Sequence, residues 1–336
     1  MRTKIDLKFW LGIAVSLFFM VLLFNKIDFR LLGAALLAAD YRYVFLAICS
    51  TFISYFLRAL RWRYLLISEK SIPLSSLYPA TIIGYMANNL LPARLGEVVR
   101  AYTLAGREQL ETPAVFASLV IDRLFDGFSV LLLLVFALFT VRFPVGMEDA
   151  TFALRTGGAL MFLLYCGVIL FLYLLKRQTM RTLSAVEYVL KPFPKRFSSS
   201  IIPLLGSFIG GIRLSQRMGH VAALVATSAA IWLFCLLAVD LTLRSFNIHL
   251  PVTAAIFILI LLVFAVMVPA APGYIGTYHY ACFKGLSVFG VPATASVSIA
   301  LVMHATGFFP VIVAGLYYLW KNKISLNQLQ EAEKAR

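Results

Sequence analysis

Long apolar runs alternate with short polar stretches along this chain, and the runs set its elements. Those near 9–24, 41–60, 113–141, 155–175, 220–243 and 295–320 approach or exceed the roughly 20 residues needed to cross a bilayer core. They predict six full spans. Two more apolar segments, 74–91 and 252–270, behave differently. Each runs into a proline–glycine break and then resumes. The first break is Leu-Pro-Ala-Arg-Leu-Gly at 91–96, and the second is Pro-Ala-Ala-Pro-Gly-Tyr-Ile-Gly at 269–276.

Composition turns the runs into a membrane protein. Of 336 residues, 61% are hydrophobic and 13% charged, against about 25% charged in a soluble domain. The net charge of +15 does not point to nucleic acid. The Lys and Arg residues sit mostly in the short stretches between apolar segments, as the positive-inside rule and anionic headgroups require. The basic, apolar N-terminus resembles a signal peptide, but its run ends in Phe24-Asn25-Lys26 without a small-residue cleavage site. It is therefore read as a retained first span.

Loop charge decides the topology. With the N-terminus inside, Arg61, Arg63 and Lys70 fall inside and 142–154 outside. The basic stretch 176–219 is cytoplasmic, as is the C-terminus. One crossing, 113–141, then separates residue 70 from residue 142, so 74–110 enters and leaves on the cytoplasmic side. By the same reasoning 252–292 enters and leaves on the outer side. This arrangement places 21 of the 30 Lys and Arg residues inside and 7 outside, the expected bias. The expectation is an all-α polytopic protein of the cell membrane, with one integral membrane domain over 1–336. It has six full transmembrane helices, two oppositely oriented re-entrant helical hairpins forming an inverted repeat, and both termini in the cytoplasm. The rival is eight full spans with both breaks as ordinary loops. In transporters such paired broken helices meet near the midplane and build the substrate site.

The chemistry gathers at the breaks and in one span. In NNLLPARLGEVVRAY, residues 88–102, Pro92 frees a carbonyl and Gly96 permits a tight turn. Glu97 and Arg100 share a helix face and are placed to pair. Arg94, with the N-terminus of the helix that starts near Gly96, forms an anion site fit for a lipid phosphate. Asn88 and Asn89 are adjacent amides in an apolar region and need partners. In the span 113–141, Thr112 serves as cap with Pro113 in the first turn. Asp122, Arg123 and Asp126 then lie about 14–20 Å along that helix, at a depth where charge marks function. Asp122 and Asp126 share a face and repel unless a cation lies between them, while Arg123 points about 100° away. A structural ion-pair lattice to Arg58, Arg61 or Arg94 is the plainer reading of the same residues.

The second break has Pro272, Gly273 and Gly276 but no carboxylate; Tyr274, Thr277, Tyr278, His279 and Tyr280 supply hydrogen bonds, though any single tyrosine there also suits an interfacial anchor. His304, in the last span, is either a packing histidine or a proton carrier. The cysteines Cys49, Cys166, Cys235 and Cys282 lie in apolar segments without metal or disulfide spacing, and no catalytic or nucleotide-binding motif stands out. No cofactor, metal or enzymatic activity is expected.

The ordered set NNLLPARLGEVVRAY, VIDRLFDG and PAAPGYIGTYHYA resembles the lysylphosphatidylglycerol synthase transmembrane-region family, the flippase-like, UPF0104-type membrane proteins. The resemblance covers roughly residues 10–320. It implies a protein that moves, or helps to move, a lipid between leaflets. In two-domain members this region translocates an aminoacylated phosphatidylglycerol made by a cytoplasmic transferase domain. This chain ends at Arg336, shortly after its last span, so a stand-alone member without synthase activity is expected. The substrate expected is a phospholipid or a glycolipid or isoprenoid lipid with an anionic headgroup. A lipid-synthesising enzyme is a candidate partner, and the small residues of the spans permit a homodimer. The alternatives are a non-transporting scaffold of a lipid-modifying complex and a membrane enzyme acting on a lipid.

Overall fold

The computed structural model describes residues 17–21, 29–66, 71–91, 95–141, 148–178, 181, 184, 186–188, 218–268 and 272–322. Pro92, Arg94 and Pro269 lie outside these residues, as do most of the first span, most of the basic stretch 176–219 and the C-terminal tail. Among the described residues the chain is helical throughout, with no strand. The helices are α1 (Phe29–Leu37), α2 (Tyr41–Leu65), α3 (Leu74–Leu90), α4 (Gly96–Glu108), α5 (Thr112–Thr140), α6 (Glu148–Arg177), α7 (Met218–Ser245), α8 (Val252–Met267), α9 (Thr277–Ser287) and α10 (Ala293–Lys321). A 3-10 turn, Pro272–Tyr274, precedes α9.

Among the described residues, three helices are both long and apolar enough to cross a bilayer: Tyr41–Leu65, Gly219–Ser245 and Ala293–Lys321. The runs at 113–141 and 155–175 fall in α5 and α6, of 29 and 30 residues. The outward side of α6 is apolar, with Leu160, Leu163 and Leu164 all exposed, as suits a helix in contact with lipid.

Both breaks join short, packed helices. α3 and α4 have 17 and 13 residues, and α8 and α9 have 16 and 11. At 1.5 Å per residue each arm is about 17–26 Å long, shorter than the roughly 30 Å hydrocarbon core. The first pair is antiparallel. Ser76 donates to Glu108 at 2.6 Å at its open end, and Asn88 accepts from the Gly96 N–H at 2.8 Å at its tip. Between them Gly84 faces Arg100. A Cβ at Gly96 would overlap the Gly84 carbonyl and the Asn88 side chain, so glycine lets the two backbones touch. In the second pair Gly285 of α9 packs on Ile258 and Leu261 of α8.

Each pair shares a core with two long helices. Trp62, Leu77, Leu104 and Leu119 unite the first pair with α2 and α5. Ile231, Ile258, Leu286 and Ile299 unite the second pair with α7 and α10. The halves join where α2 packs antiparallel on α7, with Ser50 donating to the Phe234 carbonyl at 2.8 Å, and where α3 packs on α10.

The sequence reading needs two corrections here. α2 continues past residue 60, so Arg61 belongs to the helix and is fully buried. Arg100 is buried as well. Without these two, 19 of the earlier 21 basic residues remain as inside charges, still well above the 7 outside. The cap of α5 is Glu111, with Thr112 already in the helix.

Gly96→Ala is expected to lower stability by about 1–3 kcal/mol, because the backbone carbonyl of Gly84 cannot yield as a side chain would. Gly106→Ala, on the same helix with open space around it, is expected to be neutral or mildly stabilising. Thermal unfolding of both variants in detergent, compared with the native chain, measures the difference.

Candidate functional site

The charged residues of α2, α4 and α5 converge on one buried lattice. The Arg61 guanidinium, with no solvent exposure, donates from Nε to Asp122 Oδ1 at 2.8 Å and from Nη2 to Asp126 Oδ1 at 2.7 Å. It also reaches the Asp122 carbonyl at 3.2 Å and Ser228 Oγ of α7 at 3.1 Å. Arg58 meets Asp126 Oδ2 at 2.5 Å. Arg100 meets Asp122 Oδ2 at 3.2 Å and lies 4.0 Å over the Trp62 ring. Arg123 reaches Asp122 and Asp126, each at 3.2 Å, and Glu97 at 3.6 Å. Four guanidiniums thus meet three carboxylates, and the cluster carries one net positive charge.

Local spacing explains the convergence. Arg58 and Arg61 are three apart on α2, and Asp122 and Asp126 four apart on α5, so each pair projects from one face. A buried charge survives when it is paired and hydrogen-bonded. Trp62 Nε1 donates to Ser118 Oγ at 2.9 Å, which fixes the indole beneath Arg100.

The exposed edge of this lattice forms one end of a cavity of about 480 Å³. Arg58, Tyr85, Glu97, Arg123 and Asp126 line the polar end. Val130, Leu131 and Leu134 of α5, Met161 of α6, Trp232 of α7 and Val263, Phe264 and Met267 of α8 line the apolar flank. Arg123 and Glu97 are the accessible charges, with side chains 34% and 24% exposed, while Arg61 and Asp122 are sealed behind them. Tyr85 accepts from Arg123 at 3.1 Å. Tyr165 of α6 donates to the Leu124 carbonyl, which holds α6 against the cavity wall.

The two breaks touch. The Tyr274 hydroxyl donates to the Asn88 carbonyl at 3.0 Å, and the Asn88 amide lies 3.3 Å from Glu97. At the second break Gly273, Tyr274 and Gly276 all take positive φ, at 78°, 56° and 91°. Two of the three are glycine, as this conformation favours.

Most residues singled out in the sequence fall in these two places. Asn88, Gly96, Glu97, Arg100, Asp122, Arg123 and Asp126 gather around the lattice and the first break, with Asn89 half-buried beside them. Gly273, Gly276, Thr277, Tyr278 and His304 gather at the second break, and Pro272 opens its turn. Arg94 lies outside the described residues. Three local expectations change. Glu97 and Arg100 do not turn to each other: Arg100 turns to Asp122, and Glu97 to Arg123 and Asn88. Arg123 does not point away, since its long side chain folds back and bridges both aspartates with Arg61. The first N–H of α4 is taken by Asn88 and does not stand free for an anion. Arg58 and Arg61 belong to the site; the signal for them was two arginines within an otherwise apolar span. Tyr85 and Trp232 carried no sequence signal, whereas Tyr274 was expected among the hydrogen-bonding residues of the second break.

Residues 9–315 match the family model described as "Lysylphosphatidylglycerol synthase TM region". Among curated proteins, the chain is 25% identical to a UPF0104 membrane protein of Methanothermobacter thermautotrophicus, over 84% of this chain and 86% of that one. It is 22% identical to a UPF0104 membrane protein of Pyrococcus horikoshii, over 86% and 90%. It is 26% identical to a protein named glycosyltransferase AglD of Haloferax volcanii, over 83% of this chain but 49% of AglD, so the chain spans about half of that relative's length. No solved structure matches the chain.

The lattice separates structural from accessible charge. Arg61→Gln, which takes the shared donor from Asp122 and Asp126 and leaves them to Arg58, Arg100 and Arg123, is expected to lower stability by about 2–3 kcal/mol, the loss of buried charged hydrogen bonds. Arg123→Gln, at the partly exposed edge, is expected to lower it by less than about 1.5 kcal/mol. Unfolding of the two variants in detergent, followed by Trp fluorescence, tests this order.

Proposed function

Because the chain belongs to the lysylphosphatidylglycerol synthase transmembrane-region family, we propose that it moves a lipid between the two leaflets of the cell membrane. The observation that carries this reading is the two-natured cavity, with two guanidiniums, two carboxylates and a phenol at one end and aliphatic and aromatic walls along the other. A lipid has the same division. Its headgroup suits the polar end and the start of its acyl or isoprenoid chain suits the flank of α5, α6 and α8. The volume, about 480 Å³, is in the range of small-molecule sites and fits a headgroup with the rest of the lipid left in the bilayer. The net positive charge of the lattice favours an anionic headgroup, with Arg123 and Arg58 as the groups that meet a phosphate.

In this reading the two broken pairs are re-entrant hairpins that open to opposite faces, beside six full spans, with both termini cytoplasmic. Arms shorter than the hydrocarbon core and tips that touch through Tyr274 and Asn88 support it. Irregular backbone at membrane depth persists where it is buried in protein or lines a cavity, and the buried Leu95, Gly96, Gly273 and Gly276 beside the breaks fit that condition. AglD's name assigns glycosyl transfer to a protein about twice as long as the matched region. Here Asp122 and Asp126 are each neutralised by arginines, which suits electrostatic holding rather than acid–base work, so transport is preferred to catalysis.

The test is leaflet exchange of a headgroup-labelled anionic phospholipid in liposomes holding the purified chain. Arg123→Gln and Glu97→Gln are expected to slow exchange by at least about tenfold, an interaction difference of about 1.4 kcal/mol, while each variant keeps its unfolding temperature within a few degrees. Exchange unchanged in both variants, or absent from the folded native chain across anionic phospholipids, glycolipids and isoprenoid lipids, overturns the reading.

A further inference from the structure

Two histidines hold the second break from opposite sides. His304 of α10 lies with Nε2 2.7 Å from the Gly273 carbonyl. His279 of α9 lies with Nδ1 3.4 Å from the Gly276 N–H. The partners assign the tautomers. A carbonyl can only accept, so His304 donates from Nε2–H. An amide N–H can only donate, so His279 offers a bare Nδ1 and its ring is neutral. The two rings lie side by side, with centroids 4.7 Å apart. Tyr278 lies 5.0 Å from the His304 ring, and Phe308 stacks on the other side at 5.1 Å.

Among the described residues, no charged side chain acts on this pair. The titratable groups beside it are Tyr278 on α9, with Cys282 and Tyr55 of α2 next to that phenol, and Tyr274 in the turn. Phenols and thiols are neutral near pH 7. Lys284, farther along α9, lies over the Tyr280 and Phe283 rings instead. A proton arriving here is therefore a new and uncompensated charge inside the protein.

We infer that His279 and His304 form a proton-binding site that accepts one proton and thereby releases the second break. This rests on the transport reading above and names the ion that drives it. His304 is the entry: it is half-buried, and its Nδ1 takes a proton without giving up the Gly273 carbonyl. His279 is 4% exposed and in ring contact with His304, so a proton passes between them only when the rings turn to bring two nitrogens within hydrogen-bond reach. On His279 Nδ1 the proton converts an acceptor into a donor that faces the Gly276 N–H. Two donors repel, and the first turn of α9 loses its tie back to the break. A second proton is excluded, since two cations at this spacing repel strongly in an apolar setting. The consequence reaches the cavity by a short route. Gly276 is two residues from Tyr274, Tyr274 holds the Asn88 carbonyl, and Asn88 holds both the Gly96 N–H and Glu97. Proton binding at the second break thus loosens the polar end of the cavity at the first.

Hydrogen–deuterium exchange of the full chain in nanodiscs tests the site without reference to lipid movement. After correction for the intrinsic pH dependence of exchange, protection of the peptide over 272–280 is expected to fall about fivefold, the loss of one hydrogen bond, between about pH 7 and about pH 4, because a buried imidazole without a counter-charge takes up its proton below the range of a free one. His279→Gln keeps an acceptor for Gly276, and His304→Gln keeps a donor for Gly273, yet neither titrates. Both are expected to show flat profiles with native protection at the higher pH. A flat native profile, or variant profiles that follow the native one, overturns the proton site. Leaflet exchange in the same preparations, with and without an imposed pH gradient, separates the two claims. Exchange with a flat break leaves transport standing and removes the proton site. A pH-responsive break without exchange of any lipid keeps the proton site and removes transport.

Discussion

The fold depends on one buried guanidinium. Arg61 lies between Asp122 and Asp126, takes the carbonyl of the first and reaches across to Ser228. Those contacts tie α2 to α5 and α7 at once. Desolvating a charge this completely is costly, and it is tolerated because nearly every N–H finds an oxygen. The geometry then admits no sliding. A shift of either helix by one residue would move a partner by about 1.5 Å and strand a charge in apolar surroundings. Arg58 and Arg100 extend the same constraint to Asp126 and Asp122, so the first broken pair is positioned by charge as much as by packing.

That rigidity matters because the accessible chemistry is built on its edge. Glu97 and Arg123 touch the cavity; Arg123 is a second neighbour of Arg61 through the aspartates, and Glu97 joins the lattice through Arg123. They are held in place yet partly hydrated, which is what an exchangeable headgroup requires: a fully buried arginine binds nothing new, and a free one adds little over water. The apolar flank comes from helices outside the lattice, α6 and α8, together with the far half of α5. α6 and α8 thus add apolar wall without contributing a charge to the lattice, while α5 runs through both ends of the cavity.

Much of this was legible in the sequence, for identifiable reasons. Run length marks the long helices, and proline with glycine marks the interruptions, because both act through the backbone alone. Asp122, Arg123 and Asp126 stand out because charge in an apolar run is rare for energetic reasons. What was not legible is pairing. Helical spacing placed Glu97 and Arg100 on one face, but Trp62 beneath Arg100 and Asp122 beside it draw the arginine away. The 100° rule sent Arg123 elsewhere, yet a side chain of that length reaches round its own helix. Tyr274 suited an interfacial anchor as well as a hydrogen-bond donor, since nothing local points to a partner 186 residues away.

The two breaks share a plan and differ in chemistry, and the difference has a physical logic. Both are apolar helix, proline, small residues, glycine and second helix, and both are pinned by a side chain that accepts from a backbone N–H at the start of the second arm: Asn88 for Gly96, His279 for Gly276. An amide oxygen does not titrate, so the first pin is permanent and can stand beside the charged lattice. An imidazole does titrate, so the second pin can be withdrawn, and it stands where the neighbouring phenols and thiol leave a new charge unanswered. A repeat in which one half holds charge steadily and the other admits charge conditionally is suited to coupling, because the hydrogen bond between Tyr274 and Asn88 carries the state of the second to the first.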